Sequence, residues 1–214
     1  MTQTEGERFS QVMALLFLPP DEEMIERMAE GNLSSFIAPY VLSRGGNPDL
    51  LEGFVVKEDP AAFLAHLREE YDRLFLNPGG ETISLVESFY KPWSLDPGCP
   101  LAFATGKGLL MGDSALHLLE IYRQCGLEMS EEFKSCPDHL AIELEFLSYL
   151  YRWASQVDIH RFINDHLDWI PHLREELKRY QPNSLYGDVL ELLDLFLKKE
   201  GEPEVEGNGA KTIP

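Results

Sequence analysis

Two short blocks of the chain carry side chains that could do chemistry. The first is Pro137-Asp138-His139 followed by Glu143. A His-x-x-x-Glu spacing puts an imidazole and a carboxyl one helical turn apart on a single face. Together with Asp138 such a pair can ligate a metal. No second histidine stands at helical spacing, so the pattern is not that of a zinc protease. The same residues have a local reading, in which Asp138 and Glu143 cap or pair nearby and His139 satisfies a carbonyl. The second block is Glu87-Ser88-Phe89-Tyr90 with Trp93. Ser88 has no paired His and Asp and no Gly-x-Ser-x-Gly around it, which excludes a serine hydrolase of that kind. Either Glu87 and Tyr90 pin a loop through hydrogen bonds, or the block walls a binding groove. Tyr90 and Trp93 offer flat amphipathic surface of the kind that binding hot spots favour. Glu87 offers a carboxylate that a guanidinium can meet through two hydrogen bonds. Gly106-Lys107-Gly108 lacks the spacing of a phosphate-binding loop and the strand before it.

The first block must be positioned by a helix. Leu140, Leu144, Leu147 and Tyr151 recur at helical spacing, and Ile142, Phe146, Leu150 and Trp153 form a second apolar face. A helix apolar on two faces belongs in the middle of a bundle. Pro137 suits the first helical position, so the spacing predicts a helix from Pro137 to Trp153 with Cys136, Ser135 or Asp138 as its cap.

Other helices follow from the same periodicity. They are Phe9–Leu18, stopped by Pro19-Pro20; Asp21 to about Gly31; Leu33–Leu42, interrupted by Pro39; and a helix opened by Asp59-Pro60 that runs to Phe75. Asp113 or Ser114 should cap a helix to Gln124, with Leu116, Leu119, Ile121 and Tyr122 as its apolar residues. Val157–Leu167, Trp169–Tyr180 and Ser184–Lys198 complete the set. Asn77-Pro78-Gly79-Gly80 ends one helix, and the stretch from there to Leu101 is the least regular. It contains Pro92, Pro97 and Pro100, yet its aromatic residues predict that it packs on the body of the protein. No strand alternation is sustained. The expectation is an all-α fold: one helical domain over residues 1–200, then a disordered, Gly-, Glu- and Pro-rich tail over 201–214.

With 18 Lys and Arg against 37 Asp and Glu, the 214-residue chain has a formal net charge of −19. Such a surface repels phosphate backbones, which excludes nucleic acid as a partner, and it attracts basic ones. Three scattered cysteines without a Cys-x-x-Cys pair argue against a zinc knuckle and for a reducing compartment. No apolar run approaches the length of a membrane span. A cytoplasmic location without membrane insertion is expected.

Pro137-Asp138-His139-Leu140 with Glu143-Leu144-Glu145-Phe146-Leu147, and Tyr71-Asp72-Arg73-Leu74-Phe75-Leu76-Asn77-Pro78 followed by Glu87-Ser88-Phe89-Tyr90, resemble the signature blocks of the TorD/DmsD/NarJ family of chaperones. The layout agrees over roughly residues 5 to 198, although Cys136 stands where that family often has another proline. The resemblance implies an all-helical cytoplasmic chaperone, without catalysis or a cofactor of its own. Its partner would be the leader peptide of a molybdopterin-dependent oxidoreductase subunit, a twin-arginine signal included, held during cofactor insertion and before export. It implies a peptide site at Glu87, Ser88, Tyr90, Trp93, Pro137, Asp138, His139 and Glu143, and either a monomer or a swapped dimer. The alternative from the residues alone is a metal-dependent enzyme using His139, Glu143 and Asp138.

Overall fold

The structure, a computed structural model, describes residues 3–77 and 82–201. Among them every regular element is helical, and the one sheet-like feature is an isolated antiparallel bridge between Val86 and His139. The all-α expectation holds. The proposed tail lies outside the described residues, except for Gly201.

In chain order the helices are α1 (Gln3–Leu16), α2 (Glu22–Ala29), α3 (Asn32–Ser43), α4 (Pro60–Tyr71), α5 (Asp113–Gln124), α6 (Leu140–Trp153), α7 (Gln156–His166), α8 (Ile170–Tyr180) and α9 (Leu185–Gly201). A 3-10 turn over Pro48–Phe54 links α3 to α4, and a π turn over Asp72–Leu76 extends α4. Asp21 and Asp59 cap α2 and α4 by accepting from Met24 N and Ala62 N, as their sequence positions predict.

The centre of the bundle is α6, laid along α1. Its Leu140, Leu144, Leu147 and Tyr151 are buried in one core with Phe9 and Met13 of α1 and Phe17 just past its end, with Phe196 of α9 stacked on Phe9 at 4.2 Å. Gly6 makes the close approach possible. A Cβ there would lie 2.4 Å from the Tyr151 ring, so α1 accepts glycine's lower helix propensity in exchange for contact with α6.

Four expectations need correction. The central helix begins at Leu140, not Pro137, because His139 is extended and the flanking Asp138 carbonyl and Leu140 N–H pair with another segment. Its second face is only partly buried: Trp153 is 67% exposed and Ile142 is half-buried. Pro39 does not interrupt α3, since both it and Ser35, whose carbonyl it leaves without a helical partner, are exposed. The N-cap of α5 is Gly112, not Asp113 or Ser114, and Leu118 and Tyr122 face inward while Leu116 is exposed.

Candidate functional site

The two blocks meet although 50 residues separate Ser88 from Asp138. Glu87 N–H donates to Asp138 O at 3.0 Å, and Leu140 N–H donates to Leu85 O at 2.8 Å. This short antiparallel pairing consumes the backbone groups that a helix starting at Pro137 would have used. His139 then serves as the α6 cap: its Nδ1 accepts from Ala141 N–H at 3.2 Å. An accepting Nδ1 requires a neutral ring with its proton on Nε2. Burial agrees, holding the imidazole down at about 4. The ring's outer neighbour is Phe133, 5.1 Å away.

Asp138 locks the pairing. It is fully buried, and its Oδ2 accepts from Ser88 N–H at 2.8 Å and from the Ser88 hydroxyl. Burial still raises its carboxyl above the usual range, against the effect of these bonds. Tyr122 donates its hydroxyl to Pro137 O at 3.3 Å, tying the turn before α6 to α5.

Below the bridge lies a cluster of ionisable groups, buried at Glu87 and His166 and open to solvent at His117 and Asp168. Glu87 is fully buried. Burial alone would raise its pKa, but His166 and Lys91 outweigh that and hold it low. His166 Nδ1 lies 3.1 Å from Oε2, and Lys91 Nζ lies 2.6 Å from Oε1. Lys91 reaches on to Asp168 Oδ1 at 2.6 Å and to Asp165 O at 2.6 Å. Burial works against its charge, but Glu87 and Asp168 prevail and raise its pKa. On the other side of His166, His117 Nδ1 lies 2.8 Å from Nε2. Which ring donates in this pair follows from the tautomer and charge of His166: a neutral ring with its hydrogen directed at Glu87 accepts at Nε2, and a protonated one donates there.

Glu143 completes the cluster. It is fully buried and accepts from the Trp169 indole N–H at 3.2 Å. Desolvation, then the neighbouring Glu87 and Asp138 charges, push its pKa well up. Glu143 therefore carries the proton of the pair and Glu87 carries the charge. Over this group Tyr90 stacks on Trp169 at 5.0 Å, and its hydroxyl reaches Glu176 Oε2 at 2.7 Å and Ser84 O at 3.0 Å.

Thus the fold brings Glu87, Ser88, Tyr90, Pro137, Asp138, His139 and Glu143 together. It separates them by exposure. Glu87, Ser88, Pro137, Asp138 and Glu143 are buried and committed to one another or to the scaffold, whereas Tyr90, Trp93 and His139 are half-buried at its edge. Trp93 lies farther along the loop, edge-on to Phe103 at 5.0 Å, with its carbonyl accepting from Asp113 N–H at 2.8 Å. Among the described residues no set of three His, Cys, Asp or Glu side chains is disposed to hold a metal ion. His139 and Glu143 turn to different partners, and no catalytic pairing is formed.

Sequence reasoning missed His117, His166 and Lys91. Lys91 stands four residues after Glu87, which was a usable signal. His166 lies 79 residues from Glu87 and had none.

A second feature lies elsewhere. An apolar cleft of about 510 Å³ opens between α1, α2 and α3, lined by Val12, Leu15, Leu18, Met24, Leu33 and Phe36. Glu132, beside the Phe133 that packs on His139, reaches its rim.

Comparison with known proteins gives a consistent result. A family profile described as nitrate reductase delta subunit matches residues 44–175. A chaperone protein TorD of Vibrio cholerae serotype O1 is 29% identical over 166 residues, covering 70% of this chain and 75% of the relative. Another from a second strain of that species is 27% identical over 215 residues, covering 94% and 91%. The crystal structure of a putative redox enzyme maturation protein from Archaeoglobus fulgidus superposes with a TM-score of 0.56 over 90% of this chain and 93% of that one, at 20% identity, which is a likeness of fold.

Proposed function

The chain belongs to the nitrate reductase delta subunit family, the group that includes TorD and NarJ, and from that premise we propose that it is a cytoplasmic chaperone for a molybdopterin-dependent oxidoreductase subunit. It binds the leader peptide or N-terminal segment of the unassembled subunit, keeps it from export while cofactor is inserted, and releases it afterwards. A twin-arginine signal, with paired arginines ahead of an apolar run, has the right chemistry for a chain of net charge −19.

The observation that carries this reading is the bridge between the two family blocks, which are joined by Ser88 and Asp138 and by backbone bonds. Neither block makes a surface alone. In this reading the buried members Glu87, Ser88, Pro137, Asp138 and Glu143 position the surface, and Tyr90, Trp93 and His139 meet the client. The buried carboxylates are taken up by fixed partners: Glu87 by His166 and Lys91, Asp138 by Ser88, and Glu143 by the Trp169 indole.

The test is calorimetric titration of a synthetic peptide, paired arginines followed by an apolar stretch, into the purified protein at two salt concentrations. Saturable binding that weakens at high salt supports the reading. No heat at low salt, with binding also absent by fluorescence anisotropy, refutes it.

A further inference from the structure

We infer that the cleft between α1, α2 and α3 is the seat of the client's apolar stretch, with the arginines that precede it meeting the acidic face of α2. The inference rests on the chaperone reading and seats the leader's arginines and apolar stretch in the cleft, leaving Tyr90, Trp93 and His139 to meet other parts of the client.

The carboxylates at the bridge are out of an arginine's reach. Glu87, Asp138 and Glu143 are all fully buried. Beside the loop, Asp168 is held by Lys91 and Glu176 by Tyr90. The cleft offers what the motif lacks. Val12, Leu18, Met24, Leu33 and Phe36 rest half-buried on the core, and Leu15 is 51% exposed although it is apolar. A volume of about 510 Å³ lies within the ~300–1,000 Å³ over which clefts enclose a ligand.

The charge around the cleft is one-sided. Its charged lining residues are Asp21, Glu23 and Glu132 against Arg27, which is paired with Glu23, and Glu22, Glu26 and Glu30 add negative charge on the rest of residues 21–30. Glu132 on the opposite rim has no hydrogen bond or ion pair among the described residues. An apolar trough with carboxylates on both rims selects a partner that is apolar in the middle and basic at one end. The chain's own segments do not qualify. The residues after Gly201 bring Glu202, Glu204 and Glu206, like in sign to the rim, and a second copy carries the same net charge of −19. A guanidinium meets a carboxylate through two parallel, coplanar hydrogen bonds, a geometry that an ammonium does not offer.

The cleft and the motif share one short element: the 3-10 turn Glu131–Phe133 supplies Glu132 to the cleft lining and Phe133 to the ring contact with His139.

The experiment uses the full chain and the synthetic peptide with two adjacent arginines ahead of an apolar stretch, carrying a photoactivatable group in that stretch. Leu15→Asp should weaken binding about ten-fold, as expected for loss of a central apolar contact, and leave the thermal midpoint unchanged because Leu15 is already half exposed. Glu132→Lys should weaken it by a smaller factor and flatten its salt dependence. Irradiation should label residues within 12–36. Undiminished binding by Leu15→Asp, or labels confined to residues 85–93 and 137–143, overturns the cleft assignment. If binding is instead lost in Tyr90→Ala, the chaperone reading survives that result. A wild-type protein that binds no peptide overturns both.

Discussion

The polar cluster under the bridge and the apolar cleft between α1, α2 and α3 invert the usual relation between residue type and location. Carboxylates and an imidazole are buried in the first, with a lysine at its edge, and leucines and a methionine line the open second. Recognisable motif residues need not be the ones a ligand touches. Asp138 is recognisable because one geometry of two hydrogen bonds to Ser88 holds two distant segments together, and few other side chains can do that. A cleft needs only apolar bulk and leaves no such mark.

If this contrast is right, substitutions in the cluster act on stability first, and those in the cleft act on binding alone. The largest effect is expected for Asp138→Ala. It leaves the buried Ser88 N–H and hydroxyl without their acceptor, at a cost of about 3 kcal/mol in urea denaturation. A loss under about 1 kcal/mol would mean that the bridge is not what holds the loop.

Gly6→Ala should follow. It forces a methyl into the Tyr151 ring, and overpacking of this kind costs roughly 1–3 kcal/mol by the same assay.

Glu143→Gln sharpens the comparison through pH. The folded-state pKa of Glu143 is raised above its ordinary 4.5. The stability tied to its proton is fully present below pH 4.5 and is lost as pH rises toward the folded value. Wild type should therefore lose up to about 1.4 kcal/mol per pH unit more than Glu143→Gln over that window. Denaturation at pH 5 and pH 8 measures it, and parallel curves would place Glu143 in contact with water. His139 acts with the opposite sign. Its pKa is lowered to about 4 in the fold, so its contribution holds above about 6.5 and is lost as pH falls from there toward 4.

Most of the fold was legible in the sequence, because burying an apolar face imposes a 3.6-residue period. Asp21 and Asp59 announced their caps. The start of α6 was not legible. Pro137 fits a first helical turn locally, and only the pairing with Leu85 and Glu87 overrides it. The two blocks were correctly grouped, yet the grouping gave no hint of depth: whether Glu87 faces water depends on His166, 79 residues away. The cleft left no trace, since Val12, Leu15 and Met24 look like ordinary members of amphipathic helices.

The smallest effect on stability belongs to the cleft. Leu15→Asp should change unfolding free energy by under about 0.5 kcal/mol, because an exposed leucine holds little of the core together. A larger loss would make the cleft part of the core and erase the distinction drawn here.

The most direct measurement of the chaperone assignment is calorimetric titration of a molybdopterin oxidoreductase subunit precursor, with and without its leader, into the wild-type protein at low salt. The account predicts saturable binding of the leader-bearing precursor and at least a ten-fold weaker interaction once the leader is removed, corresponding to about 1.4 kcal/mol. Equal binding of both forms, or of neither, would contradict it.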